Sequence, residues 1–279
     1  MRDSLGNCDP KAYNAVHWDG TKWELKKIGG VGGWPCRTVI AFSNNDIWFE
    51  GNIHWNGSQY GAYMNGWPFL PNGDNWQVNK MWGSNSSDLY AVGNNGNIAH
   101  WDGRKWTKIE SGTDLQFLDI YGAKNNKTAE TEILAVCTRN YPLNKDIYKI
   151  VSNAAIKISS EPIQWELFSC WFIPERHYYV VGGGIYEKKY LSDSNWRNGP
   201  LDITKYGTSC IRGTDLNNVF VVGAYGEVLH FNGYSWKSFL PKLGTFQGSY
   251  GSVDLKNNIV AITGYEGRMA KITIARTQK

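Results

Sequence analysis

The chain has no apolar run of 18 residues, so none of its segments can cross a bilayer as a helix. It has no Cys-x-x-Cys pair. Its five cysteines fall at positions 8, 36, 137, 170 and 210, which excludes zinc-ribbon and thioredoxin-type sites. Cys36, Cys137, Cys170 and Cys210 lie in strand-like runs and read as small buried apolar residues. Cys8 lies in a polar stretch. Charge is thin: 19% of residues are charged, and the net charge is only +4. The doublets Lys26-Lys27 and Lys188-Lys189 are too short for a nucleic-acid footprint. Residues 1–7 lack the apolar core of a signal peptide.

Glycine and aromatic residues are abundant. The chain carries 31 Gly, 14 Trp, 16 Tyr and 10 Phe. Glycine punctuates turns and aromatics favour pleated surfaces, so many short strands are expected. The apolar share of 42% supports a folded core.

One motif recurs four times: His17-Trp18-Asp19-Gly20-Thr21-Lys22-Trp23, His54-Trp55-Asn56-Gly57-Ser58-Gln59-Tyr60, His100-Trp101-Asp102-Gly103-Arg104-Lys105-Trp106 and His230-Phe231-Asn232-Gly233-Tyr234-Ser235-Trp236. The last interval spans about three periods of the roughly 40–45 residues of a four-stranded propeller blade. Two degenerate repeats therefore belong between Gly103 and Gly233. A second motif precedes the first, as in Asp46-Ile47-Trp48, Asp88-Leu89-Tyr90 and Asn218-Val219-Phe220. Each unit reads strand A, polar turn, strand B, Gly, strand C, Asp/Asn-Gly turn, strand D. The Asp-Gly and Asn-Gly pairs predict hairpins with a type I′ turn. The motif histidine is expected to hydrogen-bond that turn, and the final aromatic to start strand D and fold onto it. His17, Asp19, Trp23, His54, Asn56, Tyr60, His100, Asp102, Trp106, His230, Asn232 and Trp236 are accordingly assigned as scaffold.

The expected fold is all-β: one β-propeller domain over residues 1–279. Its repeats fall at about 13–28 (partial), 36–75, 76–110, 111–162, 163–203, 204–241 and 242–276, the last without strand D. This count suits a seven-bladed template with incomplete first and last blades, extending upstream of Met1. The alternative is a closed six-bladed ring in which Trp23 to Ile28 closes the last blade.

The D-G-x-x-W hairpins resemble the Asp-box (BNR) turns of sialidase-like propellers, one residue shorter. The combined pattern is similar to bacterial secreted or lipid-anchored repeat propellers, some labelled glucosyltransferase. That resemblance covers essentially the whole chain. It implies an extracytoplasmic location, with any lipid anchor upstream of Met1. It implies blade stabilisation for the motif residues and leaves the activity unspecified.

No catalytic constellation emerges. Phe172-Ile173-Pro174 lacks the arginine of the sialidase F-R-I-P motif. No HExxH, EF-hand loop, P-loop or G-x-S-x-G occurs, so neither cofactor nor metal is implied. His177, outside the motif, begins a strand and reads as structural. Asn56, Asn85 and Asn126 head N-x-S/T triplets that the Asn- and Ser-rich turns produce by composition alone. The aromatic insertion from Gln59 to Trp76 offers Tyr60, Tyr63, Trp67 and Phe69 as ligand-binding candidates, with Trp34 and Trp171 as further candidates. The sequence thus points to a non-enzymatic binding scaffold for a protein or glycan partner. A carbohydrate-active enzyme with channel-mouth carboxylates, such as Glu161, Glu166 or Glu175, is the alternative.

Overall fold

The computed structural model describes residues 13–29, 36–69, 77–199 and 202–277. The chain groups into two compact units, residues 1–114 and 115–279. In the first unit, β1 (Ala15–Trp18) and β2 (Trp23–Lys26) form a two-stranded hairpin. Two four-stranded sheets follow. One comprises β3 (Val39–Ser43), β4 (Asp46–Phe49), β5 (Ile53–Trp55) and β6 (Tyr60–Ala62). The other comprises β7 (Val78–Asn85), β8 (Asp88–Gly93), β9 (Ile98–Trp101) and β10 (Trp106–Ile109).

The second unit holds three four-stranded sheets and one three-stranded sheet. The first contains β11 (Gln116–Lys124), β12 (Thr131–Asn140), β13 (Leu143–Val151) and β14 (Ala154–Ile158). The second contains β15 (Leu167–Ile173), β16 (His177–Gly182), β17 (Ile185–Lys188) and β18 (Arg197–Asn198). The third contains β19 (Thr208–Asp215), β20 (Asn218–Gly223), β21 (Val228–Phe231) and β22 (Trp236–Ser238). A one-turn helix, α1 (Leu240–Leu243), leads to β23 (Gly248–Lys256), β24 (Ile259–Glu266) and β25 (Met269–Arg276).

Every sheet is an antiparallel meander of consecutive strands, as local hairpin chemistry dictates. The fold is a β-propeller, and its six blades match the six-bladed alternative rather than the seven-bladed template. The closing role expected of Trp23 to Ile28 is not seen: among the described residues β2 pairs with β1, and the β23–β25 sheet has three strands. Cys137, Cys170 and Cys210 are buried within strands. Cys36 instead precedes β3, half-buried and outside any strand. Cys8 lies outside the described residues.

Blade cores follow the period-two alternation of each strand. In the second unit, Trp171, Tyr179, Val181 and Ile185 of one sheet meet Ile211, Val219, Val221 and Leu229 of the next. A bulge recurs at the start of strand A, between Phe117 and Asp119, Leu167 and Ser169, and Thr208 and Cys210. Bulges re-aim side chains, and here they accompany a polar centre linking three sheets. The Arg212 guanidinium donates to both oxygens of Asp119 at 2.7 and 2.8 Å. It also donates to Ser169 Oγ at 3.0 Å and to the Cys170 carbonyl at 3.2 Å. The backbone N–H of Cys170 donates to Asp119 Oδ2 at 3.0 Å. Burial opposes the Arg212 charge, but the adjacent Asp119 carboxylate overrides it and holds the guanidinium pKa well above its usual value.

Two stability outcomes follow. Trp106 is 2% exposed, so Trp106→Ala should cost about 3–5 kcal/mol in urea unfolding, and a loss below about 1 kcal/mol would contradict its core role. Asp119→Asn should cost about 3–5 kcal/mol by stranding a buried cation. The double change Asp119→Leu with Arg212→Met should cost less than the single one. A double variant weaker than Asp119→Asn would refute this account of the centre.

Candidate functional site

The scaffold residues act through specific contacts. Asp102 Oδ1 accepts from the backbone N–H groups of Arg104 and Lys105 at 2.8 and 2.9 Å. Asp19, Asn56 and Asn232 cap their turns likewise. In each turn only the glycine has positive φ: 103° at Gly20, 95° at Gly57, 88° at Gly103 and 89° at Gly233. A single positive φ per turn does not fit the expected type I′, which needs two. The Asp or Asn precedes the turn's central pair and serves as its cap.

The motif histidine does not bond the turn. His54 Nε2 donates to Asp46 Oδ1 and His100 Nε2 to Asp88 Oδ1, both at 2.8 Å. His230 Nε2 donates to Asn218 Oδ1 at 3.1 Å. Each partner starts strand B, diagonally across the hydrogen-bonded pair. The same imidazoles stack on the strand-B aromatics Trp48, Tyr90 and Phe220 at 4.3–4.5 Å. His177 joins this scheme in reverse, standing at the strand-B position and bonding Glu187 on strand C at 3.0 Å. Glu132 and Lys149 supply the pair in β12–β13 at 2.9 Å. His17, whose hairpin has no strand B among the described residues, is exposed.

The aromatic insertion contributes to packing. Trp67 and Phe69 are 6% and 2% exposed, and Trp67 lies edge-on to Trp106 at 4.8 Å. Tyr60 is half-buried against Trp55. Tyr63 keeps 37% exposure while contacting Trp48, His54 and Trp101. Trp171, on β15, is 1% exposed. Trp34 and Trp76 lie outside the described residues. Glu166 and Glu175 flank opposite ends of β15. That puts them on the order of 20 Å apart, beyond the reach of a glycosidase pair. Among the described residues no group of three His, Cys, Asp or Glu could hold a metal ion.

What the sequence reading missed lies in the second unit. A groove of about 940 Å3 opens between the β19–β22 sheet and the β23–β25 sheet. Phe220, Val228, Phe239, Val260 and Ile262 form its apolar floor. Lys242 and Arg276 stand at its rim, and among the described residues no carboxylate lines it.

Strand register explains the space. In β7–β10, Trp101 faces Leu89 on one side and Trp106 on the other. These two indoles pack with Trp48 of the preceding blade. In β19–β22, Phe231 and Trp236 hold the same places, and Trp236 meets Tyr179 of the preceding blade at 6.1 Å. In β15–β18 the place of Trp106 belongs to Trp196, 2% exposed beneath Lys188 Nζ. Its turn is longer than D-G-x-x, so it falls outside the repeat motif. In β23–β25 the residue facing Val260 is Ala275, and no strand follows β25 among the described residues. The groove is the volume that a strand-C indole and a strand-D aromatic fill elsewhere.

His230 lines this groove, and burial pulls its pKa below the ordinary 6.5. A depressed histidine pKa favours the neutral folded form. Its contribution is complete above the unfolded pKa and falls as pH drops, because the unfolded chain takes up the proton first. Denaturant unfolding should therefore lose stability as pH falls through and below about 6.5, and His230→Gln should flatten that slope. An unchanged slope would refute this assignment.

No family model matches the chain, and no curated protein matches it. Solved structures do. YCF48 bound to a D1 peptide aligns with TM-score 0.68 and 16% identity, covering 96% of this chain and 86% of that one. YCF48 from Cyanidioschyzon merolae gives 0.63 and 13%, covering 91% and 85%. The WD40 β-propeller domain of Doa1 gives 0.56 and 10%, covering 95% and 86%. At 10–16% identity the likeness is one of architecture, and in architecture this chain is a β-propeller.

Proposed function

We propose that the protein is a non-enzymatic propeller scaffold that binds a partner protein, seating an extended segment in the groove beside β25. The observation that carries this reading is the groove itself: an apolar floor with the cationic Lys242 and Arg276 at its rim. Apolar anchors buried in a pocket supply most binding energy at such sites, and rim charges set selectivity. Lys242 and Arg276 favour a neutral or acidic segment. The peptide held by the structurally similar YCF48 is consistent with a protein ligand on this architecture. The extracytoplasmic location implied by the repeat resemblance belongs to the same proposal.

Panning a random peptide library against the full chain tests it. Enriched sequences should carry an aromatic or large apolar residue and few cationic ones. Leu243→Asp and Arg276→Glu should each weaken their binding at least about 10-fold, or about 1.4 kcal/mol. Tyr141→Ala, at a fully solvated turn of another sheet, should leave binding unchanged. Selected peptides that bind both groove variants as tightly as the parent would refute the assignment.

A further inference from the structure

We infer that a second surface, at the end of the sheets where strand B turns into strand C, binds a neutral glycan through Trp165, Tyr206 and Tyr225. None of these residues lines the groove, and the inference goes beyond the role proposed there.

The meander gathers these residues on one rim of the second unit. In an antiparallel meander the B–C turn and the connection entering strand A lie at the same end. Trp165 precedes β15, Tyr206 precedes β19, and Tyr225 sits in the turn between β20 and β21. The Gly183 amide donates to the Glu166 carbonyl and the Ala224 amide to the Gly207 carbonyl, at 3.2 and 3.0 Å. Thr208 Oγ1 accepts from the Gly182 amide at 3.1 Å and donates to its carbonyl at 3.0 Å. Those bonds set Trp165, the glycines 182–184, Tyr206 and Tyr225 in succession. A Cβ on Gly183 would stand 2.3 Å from that of Trp165, so glycine keeps the rim low beside the indole. Trp165 is 56% and Tyr225 50% exposed.

Tyr225 is held there at a cost. Its φ is 56°, in the left-handed region, which asparagine tolerates and a bulky side chain does not. The turn between β8 and β9 has the same bonds, Gly93 to Asn97 and Asn97 to Asn94, matching Gly223 to Glu227 and Glu227 to Ala224. There the left-handed position, at φ 54°, is Asn95. The backbone thus accepts asparagine, yet carries a half-exposed tyrosine. Strain of this kind persists where the surroundings enforce it and clusters at ligand sites. The Tyr225 amide donates to the Gly248 carbonyl at 2.8 Å, and its ring meets Tyr206 with centroids 4.9 Å apart. The platform is therefore rigid before any ligand arrives, which lowers the entropic cost of binding.

The neighbouring side chains select the ligand. Gln164, Glu166 and Asp202 stand within four residues of the rings in the chain, with Lys205 as the cation beside Tyr206. This is no basic track for nucleic acid. A proline-rich segment suits aromatic grooves but lacks the proline N–H groups that these carboxylates could accept. A sugar ring with equatorial substituents supplies both parts. Its C–H face meets the negative face of an aromatic ring, and its hydroxyls donate to carboxylates and amides at the edge.

The test is calorimetric titration of the full chain with cellohexaose and xylohexaose, beside a heparin hexasaccharide and a decaproline peptide. At least one neutral hexasaccharide should bind saturably, and neither heparin nor decaproline should. Trp165→Ala and Tyr225→Asn should each weaken that binding at least about 10-fold. Tyr234→Ala, 93% exposed at the opposite end of its sheet, should not. Tyr225→Asn should unfold at the same or a higher urea concentration than the parent. A lower midpoint would show that the ring is kept for packing and would overturn the inference. So would the absence of neutral-glycan binding, binding that survives Trp165→Ala, or saturable binding of heparin or decaproline. Each of these failures leaves the groove's role intact, since that role is read from Leu243→Asp.

Discussion

A four-stranded sheet is sealed against its neighbour only when the space at its outer strands is filled. In this protein two side chains do that together: a large residue ending strand C and an aromatic beginning strand D. Trp101 with Trp106, and Phe231 with Trp236, bring paired rings onto the aromatic that the preceding sheet carries on strand B. The hairpin geometry places both rings on one face. The Asp or Asn cap and the positive-φ glycine fix the turn between them. Remove the pair and a groove remains, as it does beside β25.

The histidines serve the same end. Each sits diagonally from a polar residue at the start of strand B, stacked on the aromatic beside it. What recurs is complementarity rather than residue type. The pair is Asp–His in two sheets, Asn–His in a third, Glu–Lys in a fourth and His–Glu with the strands exchanged in a fifth. A catalytic role would require one chemistry at one place. A cross-strand clasp tolerates all of these, because it needs only a donor facing an acceptor across the two central strands.

Much of this was legible in the residues. The D-G-x-x-W spacing locates the hairpins, since a short turn demands glycine and a capping side chain. The strand-B motif supplies the register between hairpins. Three features were not legible, for physical reasons. The histidine's partner is close in space but lies eight to twelve residues earlier in the chain, beyond any turn-local pattern. Trp196 was hidden because its turn is lengthened through Lys189 to Asn195, where Asp193 takes over the capping by accepting from the Lys189 and Tyr190 amides. The groove was invisible because it arises from a small residue, Ala275, where its counterparts are large. The aromatic insertion shows the converse: Trp67 and Phe69 looked available for a ligand, yet they close the core beneath Trp106.

The account stands or falls on whether the space beside β25 has the shape of the missing indole. The unfolding free energy of Ala275→Trp measures this directly. If the groove is that vacated volume, the new ring packs onto Phe220 and the variant is as stable as the parent or more so, because no existing side chain must move. A loss of about 1–3 kcal/mol, the usual cost of overpacking a filled core, would show that the space is not there.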